Sequence, residues 1–133
     1  IGPGIQEKFG TRTDIVGTQV DIVPTIMGRL GGEFRQQCWG RDLLTLPEGD
    51  KGSGVIKPSG SDQTVAIISD DHLLVQPKDM PAKVWQYKLG ANPEATVVTD
   101  SPEATELKKK LESFLQTATK SLLDNTAGVA DPK

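Results

Sequence analysis

Ser69-Asp70-Asp71-His72 sets two carboxylates and the chain's single imidazole in a row, and Cys38 is its single thiol. Groups of these types could hold a divalent metal, relay a proton or attack an ester. Each reading meets a physical objection. Successive side chains on a strand project to opposite faces, so Asp71 and His72 are not expected to converge on one ion. A zinc site draws several ligands from His and Cys, and no second residue of either type stands nearby. The segment therefore reads as a solvated hairpin turn at Asp70-Asp71. A reactive thiol needs a base or a cationic surround, and His72 is the one imidazole that could serve Cys38. Cys38 accordingly reads as a half-buried structural thiol.

Other candidates fare similarly. The Gly-rich stretch from Lys51 to Asp62 does not fit the spacing of a phosphate loop and reads as a mobile connection. Lys108, Lys109 and Lys110 read as the wet face of a helix. Trp39, Trp85 and Tyr87 could stack on a ligand, although residues of this kind more often serve in cores or domain contacts. No residue is assigned a catalytic, cofactor-binding or metal-ligating role.

The composition narrows the classes further. A chain of 133 residues suits one domain or a piece of a larger one. With 35% hydrophobic and 5% aromatic residues it can bury only a thin core. Net charge is −3 and no basic stripe appears, so a nucleic-acid partner is not expected. There is no apolar run of membrane-span length and no signal peptide, so this segment is not expected to insert into a membrane. One cysteine excludes an internal disulfide. The first residue is Ile1 rather than Met, which leads us to expect a processed or excised segment.

The elements that must position these residues follow from spacing. Gly2, Pro3, Gly4 and Gly10 suggest a strand end running into a loop. Thr18 and Asp21 have capping-box spacing, and Asp21 could equally be the helix cap itself. The second reading is preferred because it puts Pro24 in the first turn, where no intrahelical N–H bond is lost. Val23, Ile26, Met27 and Leu30 recur at helical spacing, and Gly31-Gly32 suggests a left-handed stop. Leu43 and Leu44 stand in a loop. From about residue 53 short β-branched and aromatic runs alternate with Pro, Gly, Ser and Asp, which predicts a small antiparallel sheet. A further short strand is possible in the loop from Gly90 to Asp100. Ser101 then caps a long helix with Pro102 at its first position and Glu103 in its first turn. Its buried face is expected to carry Leu107, Leu111, Phe114, Leu115, Ala118 and Leu122. Residues 124–133 read as a disordered tail.

The ordered series Pro3-Gly4, Arg12, Thr18, Asp21, Pro24-Thr25, Gly31 and Gly40-Arg41-Asp42-Leu43-Leu44 resembles the C-terminal part of the sulfatase branch of the alkaline-phosphatase superfamily. The stretch from His72 to Val98 looks like the family's strand pair followed by its E-L-Y-D-L…D-P-x-E segment, where Trp85-Gln86-Tyr87-Lys88-Leu89 and Asn92-Pro93-Glu94 fall, with Lys88 and Asn92 standing where Asp is usual. The resemblance spans about residues 1–123. Cys38-Trp39-Gly40-Arg41 is not the formylglycine signature of sulfatases, because it lacks the proline and has Asp42 where an arginine would stand. Within the branch, the early Pro-Gly and the short tail look most like lipoteichoic-acid-synthase-type phosphoglycerol transferases, which are membrane-anchored with an extracytoplasmic catalytic domain.

The resemblance implies an α/β parent of alkaline-phosphatase-like fold. This chain would be its C-terminal α+β part: a strand end, the Pro-Thr helix, a small antiparallel sheet and a long terminal helix. Residues 1–50 would form the C-terminal edge of the α/β domain and residues 51–123 the small sheet with its helix. The family's nucleophile and its divalent metal (Mn, Mg, Ca or Zn) belong upstream, so Asp71-His72 is not the family's metal-binding Asp-His pair. The expected function is that of a non-catalytic segment of a sulfate- or phosphate-ester hydrolase or transferase, partnered by its upstream catalytic half. The rival is a free-standing α+β binding module with Trp39, Trp85 and Tyr87 on a ligand face.

Overall fold

The computed structural model describes residues 4–10, 14–36, 38–58, 62–124 and 126. Pro3 and Arg12, and all of the expected tail except Asp124 and Thr126, lie outside them.

The short runs after residue 53 form strands β1 (Gly54–Ile56), β2 (Val65–Ile68), β3 (His72–Gln76), β4 (Lys83–Lys88) and β5 (Glu94–Val98). They pair antiparallel in simple sequence order, as a five-stranded meander. The register aligns Ile67 with Leu74 and Leu74 with Val84, so these three share one face, while Ile68, Leu73 and Trp85 share the other. The β2–β3 hairpin turns at Asp70-Asp71, where the Ser69 N–H donates to the His72 carbonyl at 2.9 Å.

A long helix packs on the Ile67 face. We number the helices in chain order, so this one, Pro102–Leu123, is α3. The Ser101 hydroxyl accepts from the Ala104 N–H at 3.0 Å, and Pro102 needs no intrahelical donor partner. Leu107 and Leu111 meet Ile67, Leu74 and Val84 in the core, with Val55, Val65, Ala82, Ala104 and Leu115 around them. Each such aliphatic contributes about 1.5–3 kcal/mol when fully buried. Lys110 pairs with Glu106 at 3.0 Å on the exposed side. Leu122, expected on the buried face, is instead 73% exposed. The core contacts of α3 end at Leu115, so its last turn lies beyond them.

The amino-terminal part differs from the sequence expectation. Ile5–Phe9, expected as loop, is a one-turn helix, α1, and the strand end expected before it falls on residues 1–3, outside the described residues. Gly4 at φ 75° turns the chain, and the Lys8 N–H reaches the Gly4 carbonyl at 3.2 Å. No described strand lies beside it to supply a ladder. A 3₁₀ turn, Gln19–Asp21, leads into α2, Ile22–Leu30. Pro24 is buried in the first turn of α2. Gly31 ends the helix at φ 75°, ψ 176°, a glycine conformation but not the left-handed helical one. The apolar stripe of α2 is open: Val23 is 59% exposed, Ile26 52% and Leu30 73%.

Candidate functional site

The most ordered polar constellation sits where α2 meets the loop at Gly40–Leu44. Asp21 is 2% exposed, and its carboxylate does not cap α2. It turns back to accept the Thr18 N–H at 2.7 Å, the reverse half of a capping box, and so corrects the preferred reading of Asp21 as the cap. The same carboxylate accepts the Arg41 N–H at 2.8 Å and the Arg41 Nε–H at 3.4 Å. The 3₁₀ turn satisfies the N–H groups of Asp21 and Ile22 through the Thr18 and Gln19 carbonyls. Desolvation pushes the Asp21 carboxyl up. The hydrogen bonds from Thr18 and Arg41, with the guanidinium charge, outweigh it and hold the carboxyl below its ordinary range.

Thr25 completes the clamp one turn on. Its hydroxyl donates to the Asp21 carbonyl at 2.7 Å and accepts the Leu43 N–H at 3.0 Å. Arg41 extends to the Ser53 carbonyl at 2.6 Å, tying the clamp to the approach of β1. Arg29 pairs with Asp42 at 2.6 Å and lies over the Phe9 ring at 4.8 Å. Gly40 is required by closeness: a Cβ there would collide with the Val20 carbonyl. The Asp21 carboxylate, the Thr25 hydroxyl and the Asp42 carboxylate are all engaged within the protein, whereas the buried Arg29 Nε–H has no partner among the described residues.

The second constellation is Asp71-His72. His72 is buried, not solvated, because its strand position puts it on the helix side with Leu74. Asp71 lies in the turn, where strand alternation does not apply, and its Oδ1 comes within 2.6 Å of His72 Nδ1. That contact, together with a 3.4 Å bond from Gln86, holds the Asp71 carboxyl below its usual range despite some desolvation. Glu103 in the first turn of α3 is also held low, by its own backbone N–H first and then by Ser101. Among the described residues no hydroxyl or thiol bonds the imidazole. Ser69 donates to the His72 backbone carbonyl at 3.4 Å, and the Tyr87 hydroxyl donates to the Ser69 carbonyl at 2.6 Å. Burial raises the Tyr87 hydroxyl's pKa, and Asp70 and Asp71 add to the effect. Cys38, expected to be half-buried, is exposed, with its thiol 3.0 Å from Gln36 Oε1. The described residues contain no group of three or more His, Cys, Asp or Glu side chains arranged to hold a metal ion.

The three aromatic candidates do not share a face. Trp39 packs edge-on against Phe114 of α3, with ring centroids 5.3 Å apart. Trp85 and Tyr87 lie on the opposite side of the sheet, in an apolar depression with Ile68, Leu73, Val75 and Ala95. Sequence reasoning missed the Arg29–Asp42 pair and the double role of Thr25. Their partners are 13 and 18 residues away, and no local pattern announces them. No family model, curated protein or solved structure matches the chain.

Proposed function

We propose that this chain is the non-catalytic C-terminal segment of a sulfatase-like, metal-dependent sulfate- or phosphate-ester hydrolase or phosphoglycerol-type transferase. The observation that carries the reading is the asymmetry of α2. Thr18, Asp21, Thr25, Gly40 and Arg41, residues of the resemblance itself, interlock on one side of it. On its free side Ile22, Val23, Ile26 and Leu30 are all more than half exposed. A contiguous apolar surface on a rigidly held helix is a surface made to be covered. The upstream catalytic half of the parent is the proposed cover. The nucleophile and the divalent metal (Mn, Mg, Ca or Zn) reside there, on the extracytoplasmic side of a membrane, and this chain contributes packing.

The open depression around Trp85 and Tyr87 favours a second reading, a binding module without enzymatic activity. In either case the isolated chain is expected to leave aryl sulfates and aryl phosphates intact in the presence of Mn²⁺, Mg²⁺ or Zn²⁺. Turnover that disappears in His72→Ala would overturn the non-catalytic assignment.

A further inference from the structure

Independently of that reading, we infer that β5 is a self-pairing edge, which joins a second copy of the chain antiparallel about a two-fold axis at Thr96. Among the described residues β5 pairs with β4 alone, so its other edge is the border of the sheet. The Tyr87 N–H donates to the Asp71 carbonyl at 2.8 Å, on the β3 side of β4. Antiparallel alternation then turns Gln86 toward β5. Thr96, the partner of Gln86, therefore faces β4, and Ala95 and Val97 point their N–H and C=O groups out of the sheet. Among the described residues no backbone group meets them.

Natural edges are usually protected by Lys, Pro, a bulge or a covering element. β5 reads Glu94-Ala95-Thr96-Val97-Val98, with no Lys, Pro or Arg, and its register runs without a break through five pairs. Val97 is 61% exposed.

The pattern of the strand selects the occupant and the register. With the axis at Thr96, Ala95 of one copy faces Val97 of the other, twice over. Each such pair exchanges two bonds, so all four outward groups of each copy are satisfied by about four hydrogen bonds. Glu94 then faces Val98, and no like charges meet. Thr96 faces Thr96, a favourable β-branched cross-strand pair. Moving the axis to Ala95 sets Val97 against Pro93, which has no N–H. Moving it to Val97 sets Glu94 against Asp100, a like-charge pair at a residue whose φ of 57° ends the strand. On the open face, the row Leu73, Trp85, Val97 of one copy would continue into Ala95 and Tyr87 of the other.

The test uses the whole chain with Cys38→Ser as background, so that the exposed native thiol is silent. Thr96→Cys places two sulfurs at a non-hydrogen-bonded pair with Cα atoms about 4.5 Å apart, within disulfide reach. Ala95→Cys places them about 8 Å apart, beyond it. Mild oxidation is expected to yield a covalent dimer from Thr96→Cys and little from Ala95→Cys. Adding Val97→Pro should abolish the cross-link while leaving the fold, checked by circular dichroism and melting temperature, because that N–H is not part of the β4 ladder. Ile26→Asp on α2 should leave the cross-link unchanged, which separates this contact from association through the α2 stripe. Equal cross-linking at positions 95 and 96, or a Thr96→Cys dimer that survives Val97→Pro in a folded protein, would overturn the inference. So would failure of Thr96→Cys to cross-link at all. Loss of the dimer in Ile26→Asp would assign association to α2 and overturn it as well.

Discussion

Replacing Asp21 with alanine tests the clamp directly. The carboxylate accepts two short backbone bonds, from Thr18 at 2.7 Å and Arg41 at 2.8 Å, and a longer one from the Arg41 guanidinium at 3.4 Å. A hydrogen bond to a charged group contributes about 1.5–3 kcal/mol, so the two short bonds set an upper range of about 3–6 kcal/mol if their donors stayed dry. They do not stay dry, because Thr18 is half-buried and the Arg41 side chain is 35% exposed. Water entering the vacated space offsets part of the loss. The expected destabilisation at neutral pH is about 2–4 kcal/mol, above the roughly 1 kcal/mol typical of a lost helix cap. The pH dependence has a definite sign. The folded Asp21 carboxyl titrates below its unfolded value. Its stabilisation is therefore complete above about pH 4 and is lost as pH falls through the folded pKa. Urea midpoints for wild type and Asp21→Ala at pH 7, 5 and 3 should converge toward the acid end at constant m-value. Asp21→Asn should fall between them, since one carbonyl can serve one N–H while its amide confronts the other donors. An Asp21→Ala midpoint equal to wild type at pH 7, or a gap as wide at pH 3 as at pH 7, would refute the assignment.

Gly40→Ala should destabilise by about 1–3 kcal/mol, the range for overpacking, because the obstacle is the Val20–Asp21 backbone rather than a yielding side chain; a melting temperature within one degree or so of wild type would contradict this packing. Hydrogen exchange should find the amides of residues 105–122 better protected than those of 22–30, since α3 has its sheet and the apolar side of α2 is uncovered. Equal and strong protection in a strictly monomeric sample would favour the binding-module reading.

Local chemistry determined much of the fold. Ser101-Pro102 starts α3 whatever its surroundings, because the hydroxyl and the proline ring act on adjacent peptide groups. The short β-branched and aromatic runs of β2, β3 and β4, split by Pro, Gly, Ser and Asp, announced strands. The apolar stripe of α2 was likewise visible as Val23, Ile26, Met27 and Leu30, but the exposure of Val23, Ile26 and Leu30 was not. That depended on where the rest of the chain lies. Asp21 shows the limit most clearly. Its spacing from Thr18 allowed two readings; in the fold the carboxylate takes the Thr18 N–H, the capping-box reading, and also the N–H of Arg41, 20 residues on, which no local pattern announced. His72 and Asp71 show it again. Alternation along a strand predicted divergence, yet the hairpin turn released Asp71 to fold back onto the imidazole. Leu122 carried the right spacing for the core, but burial needed a sheet long enough to lie beneath it. Spacing sets which groups can share a face; which face is covered, and by what, is a long-range outcome of packing.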